Sequence, residues 1–170
     1  MGACASSKEV GEDPLVELGN RLDQVPTYYP GTDFGCLTDS TGDIIVDKNL
    51  GSTKEASEVL QNVFLLKKAS SHFSKTLDPK CNECEIIHVR GDFTIVTVWT
   101  ITVELEDKAS RDRKNVKHRP LSKSFYLMFK TKVPRGVANF NIDEADDLLK
   151  KSIIVDIQRY LKMYCGMKTK

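Results

Sequence analysis

From Phe93 to Leu105 the chain alternates: Phe93, Ile95, Trp99, Ile101, Val103 and Leu105 share one parity, and Thr94, Thr100, Thr102 and Glu104 share the other. Successive side chains of an extended strand point to opposite faces, so this period of two predicts a long strand with one side covered and the other toward water. A strand of this length needs antiparallel neighbours, and the flanking segments supply them. Cys84–Val89 is β-rich, and Arg90-Gly91-Asp92 between the two runs has turn chemistry, which predicts a hairpin rather than an adhesion tripeptide. Ser124–Val133 (SFYLMFKTKV) predicts a further strand, and Phe34–Thr38 with Asp43–Val46 around Asp39-Ser40-Thr41-Gly42 a second hairpin.

Helical spacing governs the rest. Leu15, Val16, Leu18, Leu22 and Val25 predict a short first helix that Pro26 ends, followed by a turn-rich connection over Thr27–Asp33. Ser52-Thr53-Lys54-Glu55 has the form of a capping box. Behind it Ala56, Val59, Leu60, Val63 and Leu66 mark one face of a long helix reaching about Phe73 or Leu77. Asn141-Ile142-Asp143-Glu144 caps a last helix with an apolar stripe of Ala145, Leu149, Ile153, Ile157, Tyr160 and Tyr164, and Gly166 falls just past its end. Asp146 and Asp147, in its first turns, complement the helix dipole and read as a solvated face. The order is α-β-β-α-β-β-β-α. It predicts an α+β domain, a five-stranded antiparallel sheet flanked by helices, over residues 15–165, with 1–14 as a flexible tether and 166–170 as a tail. A chain of 170 residues has room for one such core.

The first residues carry a separate signal. Met1-Gly2-Ala3-Cys4-Ala5-Ser6-Ser7-Lys8 fits an N-myristoylation acceptor, with Gly2 exposed once Met1 is removed and Ser6 at the required position. Cys4 is then a candidate for palmitoylation. One myristoyl chain binds a bilayer only marginally, whereas two anchor stably. No window approaches 18 uninterrupted apolar residues, so an acyl anchor would be the route to a membrane. Lys plus Arg total 25 and Asp plus Glu 24, a balance that argues against a dedicated nucleic-acid binder. The positive charge is nevertheless concentrated. Lys108, Arg111, Arg113, Lys114, Lys117 and Arg119 lie in a charged insertion at about 107–120, which would be attracted to an anionic leaflet.

With these elements in this order the chain resembles the roadblock/longin-type domain, profilin-like in plan, and in particular the roadblock subunits of the Ragulator scaffold. The stretches that carry the likeness are Leu22-Asp23-Gln24-Val25-Pro26, Gly35-Cys36-Leu37-Thr38-Asp39-Ser40-Thr41-Gly42-Asp43-Ile44-Ile45, the helix after Ser52, and the hairpin through Val89, Gly91 and Thr94–Val98, within residues 15 to 105. The chain departs from the pattern in its long insertion and in joining an acyl signal to such a domain, since the acylated Ragulator subunit looks unlike the roadblock ones. An acyl signal joined to such a domain predicts a non-catalytic, lipid-anchored adaptor on a cytoplasmic membrane face, plasma membrane or endosome/lysosome, with a similar domain or a small GTPase as the partners the resemblance implies.

Catalytic signatures do not emerge. The P-loop pattern, Gly-x-Ser-x-Gly and His-Glu-x-x-His are absent, so no catalytic residue, cofactor or metal is expected. Cys81 and Cys84 have CxxC spacing without a second pair, and five scattered cysteines suggest a reducing compartment. His72, His88 and His118 are far apart in sequence and read as structural or solvated. An alternative reading is a lipid- or small-ligand-binding domain in which Trp99, Phe125, Tyr126, Met128 and Phe129 line a cavity instead of filling a core.

Overall fold

The structure, a computed structural model, describes residues 12–49, 53–79, 85–105, 121–133 and 140–168; for 53–57, 59 and 60 it describes the backbone alone. The elements run α1 (Pro14–Tyr28), β1 (Thr32–Asp39), β2 (Ile44–Lys48), α2 (Thr53–Leu77), β3 (Ile86–Arg90), β4 (Thr94–Leu105), β5 (Leu121–Lys132), α3 (Ile142–Leu149), a π-helical segment (Lys150–Ile154) and α4 (Val155–Lys168). The strands form one antiparallel sheet in the order β2-β1-β5-β4-β3. The predicted α+β class and element order are therefore present. The spine is the β4–β5 pair, in continuous register from Thr94 opposite Lys132 to Leu105 opposite Leu121.

On one side of the sheet, Trp99, Ile101 and Val103 of β4 and Phe125, Leu127 and Phe129 of β5 are buried under α1, α3 and α4. Leu18, Leu22 and Val25 descend from α1, and Leu149, Ile153 and Ile157 from the last helices. The expectation of a sheet covered on one side fails. Val98 of β4, Tyr126 and Met128 of β5 and Cys36 of β1 are buried on the opposite face beneath Val63 of α2. The reason lies in β5, whose Phe125–Phe129 run has no alternation, so both of its faces need cover. Burial, with a smaller contribution from Asp47, pushes the Cys36 thiol up to about 12 and keeps it protonated at neutral pH.

Two helix ends also differ from expectation. Pro26 lies within α1, which continues to Tyr28, because the Tyr29 N–H donates to the Val25 carbonyl (3.0 Å) and closes a turn beyond the proline. Gly166 lies inside α4, with nothing within 4 Å of a Cβ placed there. Between α3 and α4 the backbone stays helical through Leu149 and Val155, so the π segment is a bulge in one long helix. Its wider turn brings the adjacent Ile153 and Ile154 both into the core.

The β1–β2 turn is held by Asp39. Its Oδ1 accepts from the N–H groups of Thr41 (2.8 Å), Gly42 (3.0 Å) and Asp43 (3.1 Å) and from the Thr41 hydroxyl (2.6 Å). Partial burial would raise this carboxyl, but those donors together hold it below the usual aspartate value.

At the start of β1, the Thr32 N–H donates to the Tyr29 carbonyl (3.1 Å) across Pro30-Gly31, and Gly31 takes φ +89°. A Cβ there would lie 2.4 Å from the Lys132 carbonyl oxygen. Gly31→Ala is expected to destabilise the domain by at least about 1–3 kcal/mol in denaturant unfolding. Gly19→Ala, in an α1 position with open space around it, is expected to stabilise by up to about 1 kcal/mol.

Candidate functional site

Gly2 and Cys4 lie outside the described residues, as do Lys108, Arg111, Arg113, Lys114, Lys117 and Arg119, and also Cys81, Cys84 and Ser52. Among the described residues no three His, Cys, Asp or Glu side chains gather as metal ligands, and no helix is long and apolar enough to cross a membrane. The side chains expected to line a cavity are packed, and Tyr126 among them also borders a surface groove. Trp99, Phe125 and Phe129 fill the larger core, where Phe129 meets Tyr29 edge to face at 4.7 Å, while Tyr126 and Met128 fill the smaller one.

One buried polar chain was not foreseen. The Tyr29 hydroxyl donates to Asp146 Oδ1; Asp146 Oδ2 lies 2.7 Å from His88 Nε2, and His88 Nδ1 lies 3.0 Å from Thr97 Oγ1. Asp146, expected in water, is 8% exposed, whereas Asp147 is exposed as expected. A sequence signal existed: Asp146 precedes Leu149 by three and Ile153 by seven, which places it on the buried stripe. The imidazole thus bridges the carboxylate and the threonine hydroxyl, one ring nitrogen to each. The series hydroxyl–imidazole–carboxylate resembles a nucleophilic relay, but Thr97 has no exposed surface to offer a substrate. The chain instead ties the end of α1 and the start of α3 to β3 and β4.

The outward surface is more telling. On α2, Leu65, Phe73 and Leu77 are 67%, 64% and 71% exposed, although the long helix was expected to bury one apolar face along its length. Of the expected stripe, Val63 is buried and Leu66 half-buried, while the side chains of Ala56, Val59 and Leu60 lie outside those described. At the sheet margin β3 pairs with β4 alone among the described strands, and the nearby Val89 and Phe93 are both about half exposed. The opposite margin, β2, carries Asp47 and Lys48 instead, and Lys48 pairs with Asp23 at 2.7 Å.

No protein-family model matches the chain, and no curated protein matches it by sequence. Solved structures do. The chain is similar to MglB of Myxococcus xanthus (TM-score 0.61, 9% identity, 89% of this chain and 92% of that one) and to MglB in a tetrameric arrangement (0.57, 13%, 88% and 90%). It is also similar to a Roadblock/LC7 domain from Streptomyces avermitilis (0.55, 10%, 84% and 96%). The fold is that of a roadblock domain. At these identities the likeness is one of fold, and it spans nearly the whole of each roadblock structure.

Burial raises the Tyr29 hydroxyl pKa, and the hydrogen bond to Asp146 and the charges of Asp146 and Asp143 raise it further. The folded state therefore keeps this proton where an unfolded tyrosine loses it. The associated stability is present below the unfolded value of about 10 and is lost as pH rises above it. Tyr29→Phe should cost about 1–3 kcal/mol at neutral pH by leaving a buried Asp146 oxygen without its donor. It should also flatten the alkaline loss of stability in denaturant titrations at stepped pH; an unchanged alkaline limb would reject this account.

Proposed function

We propose that the chain is a non-catalytic adaptor, held on a cytoplasmic membrane face by acyl groups on Gly2 and Cys4, that recruits protein partners through its roadblock domain. The observation that carries the recruiting role is the outward apolar line of α2, where Leu65, Phe73 and Leu77 are each about two-thirds exposed. Large side chains left in water along a helix mark a surface that gains from being covered. Partners of this chemistry are a similar domain or a small GTPase. A roadblock-fold protein, MglB, has been solved in a tetrameric arrangement, which supports partnering between such domains.

The anchor rests on the sequence Gly2-Ala3-Cys4-Ala5-Ser6 and on the arithmetic of two chains. The six basic residues from Lys108 to Arg119 would add attraction to an anionic leaflet of the plasma membrane or of an endosome or lysosome.

Gly2→Ala should move the protein from the membrane to the soluble fraction of cells, because it removes the first acyl chain and with it access to the second. Cys4→Ser should give a partial shift. An unchanged membrane fraction in Gly2→Ala would reject the anchor. Separately, Leu65→Asp with Phe73→Asp should abolish co-purification of protein partners while moving stability by no more than about 0.5 kcal/mol, as expected for exposed positions. Partners retained at wild-type levels would reject α2 as the recruiting surface.

A further inference from the structure

The second half of α2 is built inside out. Val63 is buried against the sheet, and Phe64 packs edge-on to Tyr126 with ring centroids 5.9 Å apart. Phe64 also sits over Gly42, where φ is +100° and an added Cβ would come within 2.5 Å of the ring. The helix is thereby fixed against the β1–β2 turn. An amphipathic helix would repeat apolar residues on this side, at three, four, seven and eleven positions beyond Phe64. Those positions hold Lys67, Lys68, Ser71 and Lys75, while Leu65 and Phe73 point to water.

These side chains, with His72 and with Ser40 from the β1–β2 turn, line a groove of about 320 Å³ over Tyr126. Among its described lining residues none is a carboxylate. Lys67 forms the floor: it is 4% exposed, its Nζ donates to Thr100 Oγ1 at 2.5 Å, and it lies 5.4 Å from the centre of the Tyr126 ring. Structural needs account for only part of this. Lys75, in the last turn, complements the helix dipole, but Lys67 and Lys68 lie about two turns earlier, beyond its reach. Lys68 and Lys75 are exposed and line the groove, so an anion seated in it would be attracted to both. The aromatic floor lowers the local dielectric and strengthens attraction to such an anion.

We propose that this groove binds a small molecule carrying phosphomonoester groups. The ammonium groups of Lys68 and Lys75 would neutralise the phosphate, which carries about −1.5 to −2 at neutral pH. The Ser40 and Ser71 hydroxyls would donate to its oxygens, and Tyr126 and Phe64 would bear on the carbon body. The volume lies at the small end of ligand sites, the size of a phosphorylated polyol or of the headgroup of a phosphoinositide. The groove does not depend on the acyl anchor, so the two stand or fall separately.

The test uses the full chain made without acylation, titrated calorimetrically with inositol trisphosphate, and in parallel mixed with phosphatidylcholine vesicles bearing either phosphatidylinositol bisphosphate or phosphatidylserine at matched charge. Saturable binding of inositol trisphosphate is expected. Lys68→Ala with Lys75→Ala, both exposed and so compatible with folding, should weaken it at least about tenfold. Lys151→Ala, an exposed lysine of the π segment, should leave it unchanged. Added binding to the bisphosphate vesicles assigns the phosphate to a lipid headgroup; binding of the soluble compound alone assigns it to a free metabolite. The proposal is overturned by absence of binding, by binding that the double variant retains, by equal binding to both vesicle types without the soluble compound, or by binding of a phosphoserine peptide in its place.

Discussion

The β4–β5 ladder sets the terms for every other element. Its two strands pair in unbroken antiparallel register, and the middle of β5, Phe125–Phe129, is buried at every position. A strand without alternation cannot leave either face in water, so helices are required on both sides of the sheet. α1 and the bulged α3–α4 helix cover one side with a large core centred on Trp99, Leu127 and Phe129. The other side has a smaller apolar patch, Cys36, Val98, Tyr126 and Met128, to which α2 contributes Val63 and Phe64. The asymmetry between the two cores follows from β4, whose even positions include Thr94, Thr100, Thr102 and Glu104 beside Val96 and Val98.

That asymmetry leaves α2 with two distinct surfaces. The apolar patch accepts Val63 and Phe64, and beyond it the helix has little more to bury, so its second half places lysines over Tyr126 and leaves Leu65, Phe73 and Leu77 outward. The second half of the helix thus presents both a polar groove and outward apolar side chains. On the better covered side, by contrast, the Tyr29–Asp146–His88–Thr97 chain fixes the position of β3, the marginal strand among those described. A buried carboxylate is costly unless its oxygens are satisfied, and here both oxygens have a partner. The polar tie thus favours one placement of β3 against α3.

Much of this was legible in the residues. The alternation in Phe93–Leu105, the turn at Arg90-Gly91-Asp92, the Asp39–Gly42 turn and the Asn141 cap each determine a local conformation through nearest neighbours, and each appears in the structure. Boundaries were less secure. Pro26 lacks an N–H, yet α1 passes it and closes a further turn with the Tyr29 N–H on the Val25 carbonyl, and Gly166 lies within α4 instead of past its end. Asp146 illustrates the harder failure: beside Asp147 in a first helical turn it reads as a solvated acid, and its burial depends on a tyrosine far away in the chain.

The sequence by itself determined which segments become strands and helices, their order, and hence the α+β class, because periodicity, turns and caps act over a few residues. It also contains the Gly2–Cys4 start, a chemical signal that needs no fold to be read. Only the tertiary structure decided which helical faces are covered. The second half of α2 leaves Leu65, Phe73 and Leu77 exposed, and the stripe of α3 meets a tyrosine and a histidine that turn an acid inward. Burial depends on what lies opposite, and that partner is brought there by the sheet rather than by neighbours in the chain.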